Sequence, residues 1–141
     1  MASANLELVR SIYAAFERGD YSSAPWAHPE IEYVWADGPS PGSWRGLAAM
    51  AEAWRNVLSS WRDFRGEPEA YRELDDGRLV VLVRFHGQGK ASGVDLGELR
   101  ARGASIYDIR HGKVTRIVSY FDRDRAFADL GLAPEADAPG S

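Results

Sequence analysis

The chain has 141 residues, 45% of them hydrophobic and 27% charged, and its formal net charge is −4. Those proportions describe one globular domain rather than a disordered chain, and the acidic balance argues against nucleic acid, which calls for a basic face. Cysteine is absent, which excludes disulfides, thiol catalysis and zinc–thiolate sites, while five Trp, six Tyr and five Phe need a core, a partner or a ligand to pack against.

The first predicted helix carries Leu6, Val9, Ile12, Tyr13 and Phe16 on one face, with Asn5 as its expected cap and Gly19 as its stop. Asp20 opens a short turn or helix that ends near Pro25 and Trp26. In the next stretch Ile31, Tyr33 and Trp35 alternate with Glu32, Val34 and Ala36, the period of a strand. The run DGPSPGSWRG is rich in Gly and Pro and is expected to lack regular structure. A second long helix is predicted from Leu47 to Ser60, with Leu47, Met50, Ala51, Trp54, Val57, Leu58 and Trp61 at helical spacing.

From there the period becomes two. Phe64 to Leu74 is a strand in which Gly66 and Pro68 signal a bulge or an edge. Asp76-Gly77 is a hairpin turn, and Leu79 to His86 is the most apolar strand. Residues 87–97 form a glycine-rich loop, either a flap or a long hairpin. It lacks the Gly-Lys-Ser/Thr ending of a phosphate loop. Leu99 to Arg110 turns Ala101, Gly103, Ser105, Tyr107 and Ile109 to one face. His111-Gly112 is a tight turn, Val114 to Phe121 is the last strand, and Asp122 caps a short helix carrying Ala126, Phe127 and Leu130. Residues 1–132 make one domain, and the tail APEADAPGS is expected to be disordered. No stretch approaches the roughly 18 apolar residues of a membrane span, and no apolar signal core is visible, so the expected location is the cytoplasm.

Helices followed by meandering strands imply an α+β architecture. In its order of elements the chain resembles the SnoaL-like branch of the nuclear-transport-factor-2-like superfamily. Three stretches carry the resemblance: YAAFERGD (Tyr13 to Asp20), WRGLAAMAEAW (Trp44 to Trp54) and HGKVTRIVSYFDRDRAF (His111 to Phe127). The resemblance implies a cone: a strongly curved, mostly antiparallel sheet around two long helices and a short one, closed by a short C-terminal helix. It also implies a homodimer through the sheet face. The superfamily includes polyketide cyclases, ketosteroid isomerases, small epoxide hydrolases and non-enzymatic binders, so fold transfers more readily than function.

Four residues are candidates for chemistry. Asp37 falls where the isomerases of the superfamily place their general base, counted back from Arg45-Gly46, although Asp-Gly before Pro is also turn chemistry. Asp122 lies in the region of the cyclases' late acid/base aspartate, or simply caps a helix. His86, at a strand end, is either a hydrogen-bond donor or base, or a structural histidine. Tyr13 lies on the helix that carries the isomerases' enolate-stabilising tyrosine, with Ile12 at the matching count. An epoxide-hydrolase-like set of Asp37, Asp122 and Arg84 or Arg102 is a weaker option.

An apolar small molecule is the expected partner, held by Trp26, Tyr33, Trp35, Trp54, Trp61, Phe85, Ser105 and Tyr107. Gly87, Gly103 and Ser105 opposite bulky rings are expected to leave it room. His28, His86 and His111 show no metal-ligand spacing, and neither metal nor cofactor is expected.

Overall fold

The computed structural model describes residues 3–23, 25–38, 41–75, 77–96 and 101–131. Asp76, Leu99, Arg100 and the tail from 133 onward lie outside them, as do Pro39, Ser40 and Gly97.

Helix α1 (Ala4–Glu17) buries Val9, Ile12 and Tyr13. Its cap is Ser3 rather than Asn5: the Ser3 hydroxyl accepts the Leu6 amide at 3.1 Å, which places Asn5 inside the first turn. Before β1 the amides of Trp26 and Ala27 both bond to the Ser23 carbonyl, as a turn there requires. Strand β1 (Ala27–Trp35) buries Ile31, Tyr33 and Trp35 as its alternation requires. The Gly/Pro-rich run contains a strand after all, β2 (Gly42–Arg45). It pairs antiparallel with β1, because glycine and proline cluster before it while Trp44 lies directly across from Tyr33. Helix α2 (Leu47–Ser60) has the expected bounds.

Four strands follow: β3 (Trp61–Asp75), β4 (Arg78–Gly89), β5 (Arg102–Arg110) and β6 (Lys113–Tyr120). The sheet order is β2-β1-β6-β5-β4-β3, with β1 and β6 parallel and every other pair antiparallel. β3 is an edge strand and its register shifts at three places, one of them beside Pro68, since proline has no amide to give to a ladder. Residues 87–96 continue as a hairpin rather than a free flap, with Gly89 and Leu96 donating to Val94 and Gly87.

Two apolar layers flank this sheet. On the side facing α1 and α2 lie Ile31, Val81, Val83, Tyr107, Ile109 and Ile117. On the other lie Val80, Leu82, Ala104, Ile106 and Val118, against Ala126 and Phe127 of α3 (Arg123–Leu130). Ile106 and Val118 are only 8% and 9% exposed in the single chain. Within the chain they cluster with Ala126 and Phe127 of α3. Among the described residues no helix is long and apolar enough to cross a membrane.

Arg123 fastens α3 to the sheet. Its buried guanidinium donates to the carbonyls of Gly103 (3.0 Å) and Val83 (2.9 Å) and to Glu69 Oε1 (2.7 Å). Burial works to raise the Glu69 carboxyl, but Arg123, Arg84 and Arg102 override it and hold the group below its usual range. Replacing Arg123 by Met removes the side-chain donor to two buried carbonyls and leaves Glu69 with Arg84 as its remaining ion-pair partner. The expected loss is about 2–4 kcal/mol, read as a lower thermal midpoint. An unchanged midpoint would show that α3 is held by its apolar face alone.

Candidate active site

The register of the sheet places side chains in rows on the helix-facing side. Tyr33, Ile117 and Tyr107 form one row across β1, β6 and β5, and Trp35, Ser119 and Ser105 form the next. A cavity of about 600 Å³ opens between these rows and the helices. Phe16 from α1 and Trp54, Val57 and Leu58 from α2 close it above, while Phe64 and Phe85 close it beside β3 and β4. The volume falls within the range of sites for drug-sized molecules.

The rings brace one another. Trp35 stacks on Phe121 with centroids 4.8 Å apart, and Trp54 meets Phe16 and Tyr33 edge-on at 5.4 and 5.9 Å. These contacts fix the wall in offset and edge-to-face arrangements, each adding about 0.5–1.5 kcal/mol beyond area burial.

Two hydroxyl pairs lie on the wall. Tyr107 donates to Tyr13 across 3.1 Å, and Ser105 and Ser119 share a hydrogen bond of 3.0 Å. Burial pushes the Tyr13 phenol up to about 12, opposed more weakly by the neighbouring hydroxyls of Tyr107 and Ser105. Tyr33 and Tyr107 are raised as well, chiefly by burial. The phenols therefore stay protonated and can donate hydrogen bonds throughout the physiological range.

The charged residues on the wall, Glu17, Asp63, Arg65 and Glu67, are all exposed, which places them at the rim. Asp63 has a φ of 52°, a left-handed conformation that aspartate tolerates. It sits in a bulge of β3 where Gly87 lies opposite: a Cβ on Gly87 would come within 3.0 Å of the Phe64 backbone.

The structure separates the candidates of the sequence. Tyr13, Tyr33, Trp35, Trp54, Phe85, Ser105 and Tyr107 all line the cavity. Trp26 and Trp61 stand behind the wall: Trp26 is buried against Phe16 and Trp54 and donates its indole N–H to Ser22, and Trp61 packs on Phe64. Asp37 lies outside the lining. Its two carboxylate oxygens accept the amides of Phe121 (2.6 Å) and Asp122 (3.2 Å), tying the end of β1 to the β6–α3 junction. Asp122 is exposed and caps α3 by accepting from Asp124 and Arg125. His86 bonds Glu67 at 3.1 Å near the surface.

Arg84 is bound to Glu69, so the trio of Asp37, Asp122 and Arg84 is not assembled in the cavity. Gly103 and Gly87 do not make the room either. The space above Gly103 is taken by the Phe85 ring and the Tyr120 carbonyl, and that above Gly87 by the β3 bulge. Sequence reasoning missed Ser119, whose signal was its place two residues from Ile117 on one strand face. It also missed Asp63, whose aim depends on a bulge with no sequence mark.

Two predictions follow from these placements. Asp37→Ala removes two charge-assisted bonds, so it should cost about 1–3 kcal/mol in denaturant unfolding; no loss would show that the turn holds without it. The folded chain keeps the Tyr13 proton between pH 10, the ordinary phenol value, and about 12, where the unfolded chain has released it. Stability from this group is whole below pH 10 and is lost as pH climbs toward 12. Tyr13→Phe should flatten the decline of stability in that window; an equally steep decline would contradict the assignment.

Comparison with known proteins agrees with this geometry. The SnoaL-like domain family matches residues 9–117. An NTF2-like protein of unknown function from Burkholderia pseudomallei superposes with a TM-score of 0.74 at 21% identity, over 90% of this chain and 97% of that one. TerC, crystallised with polyporic acid, superposes at 0.72 with 26% identity, over 91% and 98%. A Mesorhizobium loti protein provisionally described as a SnoaL-like polyketide cyclase gives 0.66 at 15% identity, over 81% and 96%. No curated protein sequence matches. With three helices on a six-stranded curved sheet among the described residues and a family match over most of its length, the chain belongs to the SnoaL-like domain family of the NTF2-like superfamily.

Proposed function

We propose that the protein is a binding module for an apolar, oxygen-bearing small molecule held in the cavity between the sheet and the two long helices. One observation carries this reading. The cavity has an aromatic wall with neutral hydroxyls inside and its charged residues exposed at the rim. Such a wall gains from removing apolar surface from water and orients a ligand through a few hydrogen bonds. The carboxylates of Asp37 and Asp122 are engaged in backbone bonds, and His86 is paired with Glu67, which favours binding over acid/base chemistry at those three residues.

A second reading is a cofactor-independent cyclase or isomerase acting on a carbonyl compound. It draws on the phenol pair: Tyr13 accepts from Tyr107, which leaves its own hydrogen for a substrate oxygen. The proton acceptor would then come from the rim, where Glu17, Asp63 and Glu67 supply carboxylates. The likeness to TerC, crystallised with polyporic acid, supports either reading at the level of ligand class.

2-Acetylnaphthalene, a neutral aromatic carbonyl compound, is therefore a suitable probe. Trp35 and Trp54 line the cavity, so binding should quench tryptophan fluorescence saturably, with calorimetry giving one site per chain. Val57→Trp, at a half-buried position on the wall, should fill the space and weaken binding at least about tenfold without loss of folding. Turnover of the bound compound would favour the second reading. Equal affinity in wild type and Val57→Trp would place the ligand elsewhere.

A further inference from the structure

The outer face of the sheet carries arginines whose charge the fold does not balance. Arg84 on β4 and Arg102 on β5 are register partners, so their side chains leave the sheet on the same side. Next to them Phe85 belongs to the helix-facing core, and a Cβ on Gly103 would meet the Phe85 ring, which turns both arginines to the side that carries α3. Arg123 of α3 reaches the same corner through the carbonyls of Val83 and Gly103. Directly opposed residues have Cβ atoms about 4.5–5.5 Å apart, and like charges at that spacing destabilise a sheet unless an anion stands between them.

One carboxylate answers these three guanidiniums. Glu69 bonds Arg123 at 2.7 Å and Arg84 at 3.0 Å, and Arg102 helps to hold its carboxyl below the usual range. Arg102 itself is exposed and forms no hydrogen bond or ion pair among the described residues. The neighbouring carboxylates are engaged elsewhere. Glu67, across from Arg84, bonds His86 at 3.1 Å, and Asp122 accepts the amides of Asp124 and Arg125. Three positive charges against one negative leave a surplus of two, on a chain whose formal net charge is −4.

The surplus is open to solvent. Arg84 keeps 41% of its side chain exposed even while bonded to Glu69, and Arg102 stands directly beside it. Guanidinium groups hold oxyanions through paired N–H donors. A phosphate group at neutral pH brings about 1.5 to 2 negative charges and three acceptor oxygens, which matches the surplus. A carboxylate brings one charge and leaves the second arginine unanswered.

We propose that Arg84 and Arg102 form an anion site on the outer face of the sheet, which takes the phosphate group of a phosphomonoester or of inorganic phosphate. None of Arg84, Arg102, Arg123 and Glu69 lines the cavity, so the site stands or falls independently of what the cavity holds.

The test uses inorganic phosphate, methyl phosphate and acetate, all too polar for an aromatic cavity, titrated into the whole chain. Sodium chloride keeps the ionic strength constant, so that general screening does not pass for binding. In nitrogen-15 correlation spectra, phosphate should shift the amides of Arg84 and Arg102 saturably and leave those of Tyr33 and Tyr107 in place. Arg102→Gln should weaken phosphate about tenfold or more while leaving the thermal midpoint of the free protein unchanged. Arg84→Gln serves as the second variant and should weaken phosphate to a similar extent. Acetate should bind at least about tenfold more weakly than phosphate. Methyl phosphate binding as tightly as inorganic phosphate identifies a monoester as the ligand, and weaker binding identifies the free ion. Shifts that never saturate, equal affinity in Arg102→Gln, or acetate binding as tightly as phosphate would overturn the proposal.

Discussion

Everything in this molecule depends on a mismatch of size along one face of its sheet. In the row across β1, β6 and β5 a tryptophan stands beside two serines, and in the next row a tyrosine stands beside an isoleucine and a second tyrosine. Protein interiors are normally packed to the density of organic crystals. Here the helices cannot settle onto the small residues, because Tyr13 of α1 meets Tyr107 and Trp54 of α2 meets Tyr33 first. A space of about 600 Å³ remains beneath them. The ring-on-ring contacts brace the walls of that space.

Holding such a gap costs stability that the rest of the chain must offset. The opposite face of the sheet is filled instead, with Phe127 of α3 buried against Ile106, Val118 and Val80. Arg123 anchors that helix through two strand carbonyls and Glu69, and Asp37 ties β1 to the junction before it. The charged machinery of the protein is thus spent on the scaffold, the outer face and the rim, and the cavity interior is left to neutral groups. This division of labour is why the most conspicuous carboxylates are poor guides to the site.

Much of the scaffold was legible in the sequence, because it follows from periodicity. The span of α2, the alternation of β1 and the edge character of β3 at Pro68 come from patterns that only one structure satisfies. The site was legible only in part. Rings on predicted faces converged as expected, and Tyr13, Tyr33, Trp35, Trp54, Phe85, Ser105 and Tyr107 reached the wall. Trp26 and Trp61 did not, because facing inward at an element's end leaves a ring behind its neighbours. Ser119 was hidden by the facing of the last strand, which one register step reverses. Asp63 was hidden by a bulge, and Asp37 stood out through a dipeptide whose long-range partners, 84 and 85 residues away, no local pattern reveals.

The most direct measurement is the indole N–H region of a nitrogen-15 correlation spectrum, with the five tryptophans assigned by substitution and the chain titrated with 2-acetylnaphthalene. Trp35 and Trp54 line the cavity, while Trp26 and Trp61 stand behind it. The account predicts saturable shifts at Trp35 and Trp54 and smaller ones at Trp26, Trp44 and Trp61, which lie outside the lining. Shifts confined to Trp26 and Trp61, or none at all at saturating ligand, would contradict it.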